Sequence, residues 1–238
     1  MTSLNILSGG AAQGLVTGLA PQFKTKNGFT IAGEFGAVGA MADKLRKGTP
    51  TDLVILTEPL VTRLAEEGLV AAASIADVGV VETAIAVRAR DPKVRITSAP
   101  ELREALLASD AIYVPDTEAS TAGIHVAKVL ARLGIADAVA SRLKIHPNGA
   151  TAMRALASSD AKHPIGCTQA TEIIATEGVT LSGSLPPGCE LRTIYTAGIT
   201  ANAAHPREAQ ALISLLTSAE AREARARAGF IDAEGRRP

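Results

Sequence analysis

Residues 4–56, LNILSGGAAQGLVTGLAPQFKTKNGFTIAGEFGAVGAMADKLRKGTPTDLVIL, decide how this chain folds. Leu4–Leu7 is a short apolar run bounded by polar and small residues, and it reads as a buried strand. A helical pattern follows from about Ala11 to Thr25 and stops at Lys26-Asn27-Gly28, where glycine suits the left-handed turn after a helix. Phe29–Phe35 predicts a second strand, Ala37–Lys47 a second helix closed by Gly48, and Asp52–Leu56 a third strand. Just beyond the quoted stretch, Pro59–Glu67 predicts a helix with proline in its first turn and Gly68 at its end. Strand, helix, strand, helix, strand is the pattern of a doubly wound parallel sheet with right-handed crossovers.

The pattern changes near residue 80. Val80–Arg88 is strand-like with no helix close on either side, which suits a connecting strand. A second α/β set follows, with helix Pro100–Leu107, strand Ala111–Val114, helix Ser120–Leu133, strand Leu143–His146, helix Gly149–Ala157, strand Ile165–Thr168 and a short helix to Ala175. Leu181–Glu190, LSGSLPPGCE, reads as loop; Leu191–Thr200 is extended, and helices at about Pro206–Leu216 and Ala219–Ala228 end the pattern. The expected fold is α/β, with two doubly wound lobes joined by a two-strand hinge. Residues 1–80 plus 200–238 form a discontinuous first lobe and residues 88–190 a second, with crossings at 81–87 and 191–199. A hinged pair of this kind closes around a ligand in the cleft between its lobes.

Composition narrows the function. Hydrophobic residues make up 47% of the 238, but aromatics only 3%, and tryptophan is absent. A core of Ala, Val, Leu and Ile suits a parallel sheet wrapped in alanine-rich helices. Lys+Arg and Asp+Glu both number 24, so there is no basic excess to attract nucleic acid. Arg222, Arg225, Arg227, Arg236 and Arg237 alternate with Glu220, Glu223 and Glu234, as on a solvated helix face and tail. Cys167 and Cys189 have neither a CxxC nor a Cys/His partner at metal-ligand spacing, so no metal is expected and both read as small apolar residues. No phosphate-loop or nucleophile motif is present, and no cofactor is expected. No apolar run reaches the length of a membrane span, so no direct insertion is expected. Met1-Thr2-Ser3 leads directly into the first apolar run, without a basic start or an apolar export segment. The expectation is a periplasmic protein if an export segment has been removed, and a cytoplasmic one if Met1 is the native start.

In a doubly wound sheet, ligands sit beyond the carboxyl ends of the strands. Turns at Ser8–Ala12, Gly36–Ala40, Ser120–Gly123 and Asn148–Thr151 are built of small residues at such ends. Small residues let an anion reach backbone N–H groups, and helix dipoles favour negative charge there. Taken singly, each turn reads first as a tight strand-to-helix connection eased by glycine. Convergence of all of them at one edge favours the anion.

Several strings also resemble a known family. They are LNILSGGAA at Leu4–Ala12, FGAVGA at Phe35–Ala40, GTPTDLVI at Gly48–Ile55, TAGI at Thr121–Ile124, PIG at Pro164–Gly166 and RAGF at Arg227–Phe230. Their order and spacing over nearly the whole chain resemble the periplasmic molybdate-binding proteins, which are type II solute-binding receptors of ABC transporters. The resemblance implies a type II periplasmic-binding-protein fold, a small-anion ligand and, if the chain is exported, a transporter permease as partner. Carried over position by position, it puts Ser8, Gly9, Gly10, Ala11, Gly36, Ala37, Val38, Ser120, Thr121, Asn148, Thr168, Gln169 and Tyr195 around the ligand. The departures are informative: the family's hydroxyl-bearing serines fall at Ala11 and Ala37, and its tyrosine at Gln169. A dehydrated dianion needs many donors. These changes weigh against molybdate and towards a small organic carboxylate that Asn148 and Gln169 would also recognise.

The same resemblance extends to periplasmic aconitate isomerases, which move a double bond by proton transfer. Acid/base candidates at strand ends are Glu58, Asp116, Glu118 and His146. Glu58 and Glu118 also suit a helix N-terminus, and Asp116 after Pro115 suits a turn. If the chain is an enzyme, His146 and Glu58 are the expected catalytic residues. His125 and Cys167 read as packing residues.

Overall fold

A computed structural model describes residues 2–231; Glu234, Arg236 and Arg237 lie outside them. The chain divides into two compact units, Met1–Val81 with Thr193–Pro238, and Glu82–Arg192. It passes from one to the other within one strand and at the first residue of another.

The first unit opens with β1 (Ser3–Gly9), a 3-10 turn at Gly10–Ala12, α1 (Gln13–Asn27), β2 (Thr30–Gly36), α2 (Val38–Arg46), β3 (Leu53–Thr57) and α3 (Glu58–Glu66). β1 pairs in parallel with both β2 and β3, so the carboxyl ends of all three lie at one edge. β3 is buried along its whole length because helices cover both faces. Gly28 ends α1 at φ 74°, a left-handed backbone that favours glycine. The aspartate of the Gly48–Ile55 string has a structural task. Asp52 is buried and its carboxylate accepts the N–H of Asn5 at 2.8 Å and of His205 at 2.9 Å, tying β1 to a distant loop.

β4 (Ala76–Arg88) carries the chain into the second unit, which holds α4 (Ala99–Ala108), β5 (Ala111–Pro115), α5 (Thr121–Arg132), α6 (Ala136–Val139), β6 (Leu143–His146), α7 (Gly149–Ala157), β7 (Pro164–Gln169), α8 (Ala170–Ile174) and β8 (Val179–Ser184). Its strands run β4-β7-β5-β6, with β7 antiparallel to β4 and parallel to β5. Alternation along the strands makes two cores. Ile85, Ile165 and Cys167 pack with Val126, Val129 and Leu130 of α5. Ala84 and Ala86 pack with Met153 and Leu156 of α7. The chain then returns through β9 (Arg192–Ile199), antiparallel to β3, into α9 (Pro206–Thr217) and α10 (Arg222–Arg227).

One segment departs from the sequence expectation. Part of the stretch read as loop is strand: β8 pairs antiparallel with β4 from Ala84↔Ser184 to Arg88↔Val179, across an irregularity between Ile85 and Ala86. Its Ser-Gly-Ser residues lack the branched and aromatic side chains that mark strands, and pairing with a buried neighbour overrides that weak propensity. Cys167 and Cys189 are free buried thiols, and burial pushes the Cys167 thiol up to about 12.

Candidate functional site

The first unit gathers small residues at one edge. β1, β2 and β3 each end where a helical segment begins, with Gly9, Ala37 and Thr57 as the boundary residues. None of these positions has a side-chain cap bond, so the leading N–H groups there have no side-chain acceptor. Small residues are required by packing as well. A Cβ on Gly9 would come within 2.8 Å of the Tyr195 ring and of Val38, and one on Gly36 within 2.9 Å of Met41. Tyr195 lies opposite Thr57 in the β3–β9 register, so β9 lays its ring over the end of β1. Ser8 is fully buried and donates to the Gly9 carbonyl at 3.0 Å; Ala11 is buried and Gly10 half-buried beside it. Gly9, Gly36, Ala37, Val38 and Tyr195 are therefore brought to one edge. Glu58 opens α3, and its carboxylate accepts from the Thr62 hydroxyl at 3.4 Å, on the dipole-favoured end of the helix.

Three helices of the second unit start at strand ends, α5, α7 and α8, and they differ. Ser120 is the boundary residue of α5 and makes no side-chain cap bond; Thr121 follows. The preceding turn is fixed by Asp116, whose Oδ1 accepts the N–H of Glu118 at 2.7 Å and of Ala119 at 2.8 Å. Those bonds hold the Asp116 carboxyl below its ordinary range. Glu118 precedes the first turn of α5, which contains no acidic residue.

The start of α7 is already filled. Glu172, buried on α8, accepts the Thr168 hydroxyl at 2.6 Å and the backbone N–H groups of Gln169, Ala150 and Gly149. Burial raises its pKa, against the opposing effect of those bonds. A Cβ on Gly149 would lie 1.9 Å from Glu172 Oε2, so only glycine lets the carboxylate approach. Asn148 caps the same helix, its Oδ1 accepting the Thr151 N–H and hydroxyl, each at 2.9 Å. Alternation along β7 thus turns Thr168 towards α7, while the buried Gln169 lies on the opposite face.

His146 ends β6 opposite Pro115 and stacks on Tyr113, with ring centroids 5.9 Å apart. Burial lowers its pKa, which favours the neutral imidazole. His125 Nε2 is 2.8 Å from the Cys189 carbonyl.

Glu172, Thr83 and Thr171 went unremarked in the sequence. Thr83 and Thr171 are buried hydroxyls with no hydrogen-bond partner among the described residues. Nothing local marks them, because their neighbours are set by pairing of distant strands and helices. Among the described residues, no cluster of His, Cys, Asp and Glu is arranged to hold a metal, and no helix is long and apolar enough to cross a membrane.

The family described as bacterial extracellular solute-binding protein matches residues 4–231. An aconitate isomerase of a Pseudomonas species is 26% identical over 235 residues, spanning 94% of this chain and 86% of that protein. The periplasmic molybdate-binding protein of Azotobacter vinelandii superposes with a TM-score of 0.81 at 19% identity, covering 96% of this chain and 98% of that one. A sulfate-binding protein of Mycobacterium tuberculosis H37Rv gives 0.76 at 21% identity, covering 98% and 88%.

Proposed function

Because the chain belongs to the bacterial extracellular solute-binding protein family and has the type II periplasmic-binding-protein fold, we propose that it is a receptor for a small organic carboxylate, which it delivers to an ABC transporter permease. The observation that carries this reading is the uncapped edge of the first unit. At Gly9, Ala37 and Thr57, backbone N–H groups meet at neighbouring strand ends with no acceptor side chain. Such an edge favours an anion through hydrogen bonds and helix dipoles together. Ala11 and Ala37 offer no hydroxyl, which favours a carboxylate over a tetrahedral oxyanion such as molybdate or sulfate. In the second unit, Ser120 and Thr121 offer hydroxyl donors at the start of α5.

Titration calorimetry with cis-aconitate, trans-aconitate, molybdate and sulfate tests the proposal. A carboxylate is expected to bind and the inorganic anions to bind at least ~100-fold more weakly. Submicromolar molybdate binding would sink the carboxylate reading. Gly36→Val and Ser120→Ala are each expected to weaken binding.

The 26% identity to an aconitate isomerase over 94% of the chain favours a second reading, proton-transfer isomerisation of an unsaturated carboxylic acid. His146 and Glu58 are the candidate acid/base residues. Incubation with cis-aconitate in heavy water then puts deuterium into the ligand, and His146→Gln lowers the exchange by at least ~100-fold, the usual scale for a lost general base. A ligand that binds tightly and is recovered unexchanged leaves the receptor reading alone standing.

A further inference from the structure

Of the three helices of the second unit that begin at strand ends, α7 is capped by Asn148, α8 has Glu172 in its first turn, and α5, twelve residues long, has neither a side-chain cap bond nor an acidic first-turn residue. The Glu172 carboxyl group sits in the start of α7. An independent feature lies on the α5 side. Thr83 pairs directly with Gln169 across β4 and β7, so the two side chains share a face. Alternation puts that face with Ile85 and Cys167, which pack against α5. The intervening chain agrees: Leu191 accepts the Thr83 N–H, and Cys189, two residues earlier, bonds His125 in the second turn of α5. Thr83 is 1% exposed and its hydroxyl has no partner among the described residues. A buried hydroxyl without a partner is costly, and such groups are rare where they serve nothing.

Resting on the carboxylate-receptor reading above, we propose that Thr83 is a specificity-determining ligand contact. Its hydroxyl donates to an oxygen of the ligand carboxylate seated at the start of α5. The α7 start, already filled by the Glu172 carboxyl group, takes no ligand carboxylate. The site therefore selects acids that present a carboxylate to α5 and an uncharged portion to α7.

Thr83→Val tests this, because it keeps the shape and removes only the hydroxyl. Calorimetry with cis- and trans-aconitate is expected to show affinity about ten- to hundredfold weaker in Thr83→Val, the scale of a hydrogen bond to a charged group. Thr83→Ser, which keeps the donor, should bind within about threefold of the parent chain. The unliganded Thr83→Val protein should melt at or above the parent temperature, since nothing in the free chain uses the hydroxyl. Equal binding by Thr83→Val overturns the proposal while leaving the receptor reading intact. If the parent chain binds neither acid, the carboxylate reading fails first, and the melting experiment still decides for Thr83. A lower melting temperature in Thr83→Val means that the hydroxyl has a structural partner, and that also overturns the proposal.

Discussion

Glu172 is held by a hydroxyl and three backbone N–H groups, with no cation among the donors. Such a group responds to pH in a definite direction. Burial raises its folded pKa above the ordinary carboxyl value, so the folded chain retains a proton that the unfolded chain gives up. The folded state then binds more protons, and this group's contribution to stability falls as pH rises through the window above about 4.5. Replacing Glu172 with Gln is expected to flatten that part of the stability–pH curve, measured by urea unfolding between about pH 4.5 and 8. Gly149→Ala forces a methyl group to 1.9 Å from Glu172 Oε2 and 2.1 Å from Thr168 Oγ1. It is expected to cost about 1–3 kcal/mol, the usual range for overpacking. The thiols give a third residue-level outcome. With Cys167 raised to about 12 and both cysteines buried, a disulfide exchange reagent should label neither in the native protein and both in denaturant.

At the level of elements, α5 is placed by its third residue. A Cβ on Gly123 would lie 2.0 Å from the Asp116 carbonyl oxygen and 2.5 Å from that of Pro115, so the helix rests directly on the turn after β5. Neither backbone oxygen can swing aside. Gly123→Ala is therefore expected to lower stability by about 3 kcal/mol or more, and to weaken ligand binding by displacing Ser120 and Thr121. The same element shows what the sequence can convey. TAGI marks a helix start after a strand, and the structure adds why the glycine is there. Strands rich in Val, Ile and Leu, and helices closed by Gly28, Gly48 and Gly68, were legible because each signal is local. β8 was not, since Ser182-Gly183-Ser184 is strand only by virtue of β4 beside it. The uncapped edge of the first unit was legible from its run of small residues. The occupied start of α7 was not, because Asn148-Gly149-Ala150 looks like an empty anion cradle until α8 delivers Glu172.

The two units of the whole molecule are unequal in connectivity. Residues 82–192 form one continuous segment with cores on both faces of its sheet. The first unit is assembled from two separated segments, and Ala197, Leu212 and Leu216 from the second are fully buried in its core. The continuous segment expressed alone is expected to unfold in a single cooperative thermal transition, whereas residues 1–81 alone should show none. In the full chain, a ligand at ~100 times its dissociation constant adds about 2.7 kcal/mol to stability by mass action. The paucity of aromatic residues has an optical consequence. With no tryptophan to quench them by energy transfer, the two tyrosines emit for themselves, and each unit has one. Tyr113 donates to Ser159 at 2.9 Å beneath the His146 ring, and Tyr195 lies over Gly9. Replacing either with phenylalanine leaves an intrinsic emitter that reports on one unit alone, so ligand arrival at each can be timed without an attached dye.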